Sequence, residues 1–230
     1  MFFRSFLFFK NIFLHFLNNF IFINECVYCF GKKSFFDKVN KSLCDKCFDN
    51  IIPIVPIEIN KKINKVPVKI YSLGKYDGVL KYIIGSKYRK NNILYKDIAY
   101  KIADCFLKHK LKADCFITIP QHSIRRSLRF INQTEEIANN LSKILKIPVF
   151  SEILPIKYSK PQAFLSIFER SINNKDRFYI LEKNRIELKN KDIFIIDDVY
   201  TTGATINAII EVLEKLELKS CNVFVISRTE

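Results

Sequence analysis

Glycine and proline are scarce in this chain, five and seven residues out of 230. That scarcity excludes collagenous, repeat-built and proline- or glycine-rich low-complexity classes. Disorder goes with them, because 49% of the residues are hydrophobic against 27% charged, enough apolar surface to form a core. No G-x-x-x-x-G-K-[ST] stretch occurs, so a Walker-type phosphate loop is absent. Alanine is late as well, the first being Ala99, and the apolar N-terminal run has no small-residue cleavage site after it. What is present fits one α/β domain with a small appendage.

Charge is unevenly placed. The chain carries 38 Lys and Arg against 23 Asp and Glu, a net of +15, and residues 60–129 alone hold 17 Lys and Arg against 4 Asp, a net of +13. A drift in composition would spread more evenly, so this region reads as an anion-facing surface, with a solvated basic face as the plain alternative. Tyr71, Tyr76, Tyr82 and Tyr88 among these lysines offer stacking surfaces for nucleic-acid bases, or are core.

Residues 1–24 are rich in Phe. Arg4 and Lys10 interrupt the apolar run, leaving 14 residues without a formal charge, Asn11 to Asn24, short of the ~18–20 that span a bilayer. On a helix, Arg4, Asn11, His15 and Asn18 form a polar stripe, with Phe6, Phe9, Phe13, Phe16, Leu17 and Phe20 around the rest. So wide an apolar surface packs onto the protein's own body, onto a partner groove or onto a membrane surface through residues 1–23.

A Cys-rich module follows at 25–50, then a Pro-punctuated, Lys-rich linker over 51–65, then a core domain over 66–230. Apolar spacing predicts helices in 76–88, 93–109 and 132–146, and short strands at 114–119, 150–157 and 177–181. The clearest unit is the last: strand 192–196, helix 205–216 and strand 222–227, a βαβ arrangement with parallel pairing.

Two constellations carry chemistry. Cys26-x-x-Cys29 and Cys44-x-x-Cys47 are separated by fourteen residues, the pattern of two knuckles that converge on one structural Zn²⁺. Two redox pairs are the alternative. Gly31 is the residue expected to supply a positive φ after the first pair. Cys105, Cys115 and Cys221 sit on apolar faces and read as core thiols. Cysteine used in this way fits a reducing, cytoplasmic compartment.

The second constellation is FIIDDVYTTGAT, residues 194–205. An apolar strand ends in Asp197 and Asp198 and passes through a Thr-rich turn into a helix. Thr201, Thr202, Gly203, Ala204 and Thr205 would surround a monophosphate with hydroxyls and backbone N–H groups, and Gly203 would let the chain approach it closely.

At these residues the chain resembles the type I phosphoribosyltransferases. With the four-Cys module ahead of it, it is similar to the ComF family of amidophosphoribosyltransferase-like competence proteins. YDGVLKYIIGSKYRKN (76–91), Ile119-Pro120, Asn132-Gln133, and Lys160, Gln162, Glu169, Arg170 and Asn173 extend the resemblance. One departure is Arg129-Phe130-Ile131-Asn132-Gln133, where that family usually reads Arg-Gly-Phe-Asn-Gln. The resemblance implies a mostly parallel α/β sheet flanked by helices. It also implies binding of phosphoribosyl pyrophosphate (PRPP) or a similar sugar phosphate with Mg²⁺, the acidic pair meeting the ribose and the Thr-rich loop the 5-phosphate.

Arg125, Arg126 and Arg129 are candidate pyrophosphate ligands, His122 a group that could assist the leaving pyrophosphate, and Lys87, Arg89 and Lys90 candidate contacts to single-stranded DNA. A competence or helicase protein is a further partner the resemblance implies. A cytoplasmic protein, peripheral at the inner membrane face, fits this set. No base-recognition signature is visible, so a working transferase and a PRPP sensor stay open beside a DNA-handling factor.

Overall fold

The computed structural model describes residues 25–33, 42–86, 92–119, 132–150, 153–155, 178–180 and 182–229. The chain divides into two compact units, residues 1–50 and 51–230. In the first, the described residues form a turn at 25–33 and a short helix, α1 (Asp45–Asp49).

The second unit is built on a six-stranded sheet. Its strands are β1 (Ile54–Ile63), β2 (Val66–Ser72), β3 (Cys115–Thr118), β4 (Val149–Phe150), β7 (Asp192–Tyr200) and β8 (Ser220–Arg228), in the order β1-β2-β8-β7-β3-β4. Only β1 with β2 is antiparallel; the other pairs run parallel. β5 (Ile153–Pro155) and β6 (Phe178–Ile180) make a separate antiparallel pair. The helices are α2 (Gly78–Gly85), α3 (Asn92–Lys108), α4 (Gln133–Leu145), α5 (Glu182–Leu188) and α6 (Ala204–Leu213). This is the mostly parallel, helix-flanked sheet that the resemblance implies.

The central strands read as unbroken apolar runs because parallel strands are covered on both faces. Ile193 and Ile195 of β7 and Val223 and Val225 of β8 face one side, where Ile206, Ile209, Ile210 and Leu213 of α6 cover them. Phe116, Phe194 and Phe224, one from each of three neighbouring strands, face the other. Phe106 of α3 lies over all three, with ring centroids 5.6, 4.7 and 6.0 Å away. Tyr71 joins this aromatic layer at 5.7 Å from Phe194. Tyr71 is half-buried, with its ring packed on this layer.

The segment 51–65, expected as a linker, instead carries the edge strand β1 and belongs to the same compact unit as the sheet. Its lysines and prolines conceal an alternation in which Ile57 and Ile59 pack against the core and Ile63 is buried, while Glu58, Asn60 and Lys62 point outward. Pro56 is tolerated because an edge strand has a row of backbone groups without ladder partners. Lys61 Nζ meets Glu211 Oε1 of α6 at 3.2 Å.

Helix α4 shows why the Asn132-Gln133 pair stands where it does. Asn132 is the N-cap, its side chain accepting from the Glu135 N–H. Gln133 is buried and donates to the Ile83 carbonyl at the end of α2. Cys105, Cys115 and Cys221 are buried as expected, and burial pushes the first two thiols up to about 11.

Candidate functional site

In the first unit, the Sγ atoms of Cys26, Cys29, Cys44 and Cys47 all lie within 4.8 Å of one another, with Cys29 and Cys44 at 3.8 Å. Four thiolates tetrahedral about one zinc at ~2.3 Å stand ~3.8 Å apart, so the donor set fits that ion. Local backbone builds the cluster. Cys26 N–H donates to the Gly31 carbonyl and Phe30 N–H to the Cys26 carbonyl, both at 2.9 Å, which closes the first knuckle. Val27 N–H donates to the Ser42 carbonyl at 3.0 Å and ties the two halves together. α1 begins directly after Cys44 and returns Cys47 to the cluster one turn later.

The residue with positive φ is Phe30, at 57°, and not Gly31. A Cβ at Gly31 would stand 3.4 Å from Cys29 Sγ, an ordinary contact.

Electrostatics in the cluster pull both ways. Burial raises the Cys26 thiol, but backbone hydrogen bonds from Cys29, Cys44 and Tyr28 outweigh it and bring it to about 7. Cys47 is pushed up by burial and by the neighbouring thiols. A bound dication removes that opposition, because each coordinating thiol is deprotonated.

In the second unit, the acidic pair sits inside β7, which runs beyond the expected 192–196 to Tyr200. Val199 and Tyr200 pair with Ser227 and Arg228 of β8 and prolong the strand. Asp197 Oδ1 accepts from the Asp198 N–H and Asp198 Oδ1 from the Val199 N–H, each at 2.8 Å. These bonds fix both half-buried carboxylates at the carboxyl edge of the sheet, where open α/β sheets bind ligands.

The loop then turns sharply. Gly203 takes φ 72° and caps α6 with no side-chain hydrogen bond. A Cβ at Gly203 would lie 2.7 Å from the Tyr200 hydroxyl and 2.8 Å from Cε2, so the Tyr200 ring occupies the space that any other residue would need. Ala204 N–H points at Thr202 Oγ1 at 3.5 Å, and the helical ladder starts with Asn207 N–H on the Gly203 carbonyl. The N–H groups of the first turn of α6 thus have no helical acceptor, and the helix dipole adds partial positive charge there. Thr201 and Thr202 are exposed beside them. Such a set of unpartnered N–H groups and hydroxyls suits an anion such as a phosphate monoester.

Strand β3 lies parallel to β7, so the chain leaves Ile119 at the same edge as the Thr-rich loop. Arg125, Arg126, Arg129 and His122 lie outside the described residues, as do Lys87, Tyr88, Arg89 and Lys90.

One feature of the site has no counterpart in the sequence reading. Beside the loop is a groove of about 670 Å³, lined by Ile54, Val55, Lys75, Tyr200, Thr201 and Arg228 among others. Thr229 N–H donates to the Tyr200 carbonyl at 3.0 Å and Arg228 N–H to the Gly74 carbonyl at 3.1 Å. The first bond holds the end of β8 against the start of the loop, and the second holds it against the chain after β2. Arg228 Nη1 and Ser227 Oγ are buried with no hydrogen-bond partner among the described residues. The signal for this groove was that β8 pairs with β7, which brings its last residues to the same edge.

Comparison with known proteins gives three findings. Residues 85–228 match the model of the phosphoribosyl transferase domain family. "Competence protein F" of Haemophilus influenzae is 32% identical over 130 residues, covering 55% of this chain and 56% of that protein. The chain therefore matches about half the length of that relative. Among solved structures, a hypothetical protein from Neisseria gonorrhoeae with bound ppGpp aligns at TM-score 0.41 and 16% identity over 58% of this chain and 66% of that one. The glutamine PRPP amidotransferase from B. subtilis aligns at 0.38 and 17%, over 57% and 25%.

Proposed function

Because the chain belongs to the phosphoribosyl transferase domain family and has competence protein F as a relative, we propose that it is a ComF-type competence protein. It would bind PRPP with Mg²⁺ at the 197–205 loop and handle incoming single-stranded DNA in natural transformation. The observation that carries the ligand is the left-handed Gly203 at the head of α6, directly after a carboxylate pair fixed at the sheet edge. Asp197 and Asp198 would meet the ribose and its Mg²⁺. Thr201, Thr202, Ala204 and Thr205 would hold the 5-phosphate, and Arg125, Arg126 and Arg129 the pyrophosphate.

The DNA part rests on the charge of residues 60–129, on Lys87, Arg89 and Lys90 within them, and on the named relative. The four-Cys module, holding zinc, would add a DNA or protein contact. Among the described residues no helix is long and apolar enough to cross a membrane, and contact with a membrane surface through residues 1–23 belongs to this proposal.

A second reading, a working phosphoribosyltransferase, is favoured by the groove beside the loop, which has room for an acceptor. Fluorescence anisotropy of a labelled single strand, with Mg²⁺-PRPP added to the complex, separates the readings. DNA bound at low salt and displaced by PRPP supports the first. No DNA binding, with pyrophosphate released on adding an acceptor, supports the second.

A further inference from the structure

Between Ile93 and Leu107, helix α3 turns five exposed residues outward: Ile93, Lys96, Tyr100, Asp104 and Leu107. Their spacings are three, four, four and three, so they lie on one helical face about 21 Å long. Three of them are large and apolar, with relative exposures of 46% for Ile93, 49% for Tyr100 and 70% for Leu107. The opposite face of the same helix is spent on the core through Leu94, Ile98, Ile102 and Phe106.

The stripe is palindromic about Tyr100 in position and complementary in chemistry. A two-fold axis through Tyr100 brings residue i against residue 200 − i of a second copy. Ile93 then meets Leu107, Lys96 meets Asp104, and Tyr100 meets Tyr100. Reversing the helix is required, since a parallel pair would set Lys96 on Lys96 and Asp104 on Asp104. An isologous contact needs this kind of self-complementarity. From it we infer that the α3 face is an interface between two copies of this chain, packed antiparallel and crossing at Tyr100.

Two contacts within one copy already prepare the seam. Lys96 Nζ stands 5.9 Å from the centre of the Tyr100 ring, and Asp104 Oδ2 accepts from Lys108 Nζ at 2.9 Å. Asp104 keeps its other oxygen for Lys96 of the second copy. The groove between α3 and α4, bordered by Ile93, Lys96, Glu136 and Asn140, lies beside the point where the second copy's Leu107 falls. A seam of one helix from each copy is at the small end of specific interfaces, so the dimer is weak and concentration-dependent.

Sedimentation velocity of the full chain, from low to high micromolar concentration at physiological salt, tests this. The expected result is a monomer–dimer equilibrium that Tyr100→Asp abolishes by placing two carboxylates on the axis. Lys96→Asp and Asp104→Lys should each weaken association by about tenfold or more through like-charge pairs. The double variant K96D/D104K should restore it, which a folding defect cannot do; circular dichroism checks each variant. A chain that stays monomeric throughout overturns the inference, as does a dimer indifferent to all four variants. In monomeric protein, an intrachain lysine cross-link from Lys96 to Lys10 would assign the stripe to residues 1–23 instead and overturn it equally.

Discussion

The ring of Tyr200 and the α-carbon of Gly203 are packed so closely that a methyl group on the glycine would meet the phenol at 2.7 to 3.0 Å. The tyrosine follows the acidic pair and the glycine starts the helix, so this contact sets how tightly the Thr-rich loop is wound. Gly203→Ala faces two separate penalties: a left-handed backbone at φ 72°, unfavourable by about 1–2 kcal/mol for a residue with a Cβ, and displacement of the ring. We expect the variant to lose PRPP binding at least tenfold and to melt earlier. Combining it with Tyr200→Ala relieves only the second penalty. The double variant should be more stable than the sum of the single effects, read as coupling in a double-mutant cycle.

Asp197→Asn with Asp198→Asn should leave the fold intact. An asparagine oxygen still accepts from the Asp198 and Val199 N–H groups, so the local hydrogen bonds of the strand survive. The charge that draws Mg²⁺ does not. Calorimetry with Mg²⁺-PRPP should show at least a tenfold weaker association, with an unchanged melting curve. No heat in the parent protein at millimolar ligand would overturn the ligand assignment itself.

For the four-Cys cluster, elemental analysis of protein purified in reducing, chelator-free buffer should give about one zinc per chain. Replacing Cys44 by Ser, or adding a strong chelator, should open residues 25–50 to protease while the unit from Ile51 onward stays resistant. The reason is size: a module as short as residues 25–50 builds little core of its own, so the metal supplies its folding energy.

The end of β7 opposite to the loop gives a pH prediction independent of any ligand. Burial acts to raise Asp192, but hydrogen bonds from Lys219 Nζ and Ser220 Oγ, both at 2.6 Å, outweigh it and hold its carboxyl below the usual 3.8. A depressed carboxylate contributes stability that is fully present above its unfolded value and is lost as pH falls through the folded one. Melting temperature should therefore fall as acid is added below about pH 4, and Asp192→Asn should start lower and fall less over the same window. Parallel curves for the two proteins would remove Asp192 as the cause.

If residues 60–129 track a nucleic-acid backbone, affinity for single strands should drop steeply with salt, by about 0.7 ion per phosphate contacted. Reversing Lys87, Arg89 and Lys90 to Glu should weaken binding more than reversing Lys183, Lys189 and Lys191. Equal losses would leave only bulk charge as the cause.

The strand, turn and helix of the Thr-rich loop were legible because the pattern is local. Residues 194–205 contain the strand, the acidic pair and the turn in one run, and α6 begins at Ala204, one residue before the expected start. The edge strand β1 was not, because Pro53, Pro56 and the lysines looked like punctuation. An edge position tolerates a proline that a central strand would reject, and only the alternation of Ile57, Ile59 and Ile63 marked it. Phe30 escaped because a positive φ is expected of the nearest glycine, whereas here an aromatic residue takes it. Tyr200 and Arg228 escaped for a different reason. Their roles depend on which strand lies beside which, and no spacing along the chain encodes that Thr229 donates to Tyr200.

The pairing of β2 with β8 joins residues 153 positions apart, Ile70 to Val223. During synthesis the β1–β2 hairpin can close as soon as it leaves the ribosome, but the other edge of β2 waits for a strand not yet made. At ~5–20 residues per second that wait is roughly 8–30 s. Throughout it, a strand edge and the apolar face behind it stand open to other nascent chains. Helix α3, whose Phe106 bridges β3, β7 and β8, has only one of those three strands to cover until residues 192–200 arrive. Completion of the sheet is thus a late event set by the emergence of residues 220–228. Ribosome-arrested chains ending before Ser220 should be protease-sensitive throughout the second unit, and those extended past Arg228 should not.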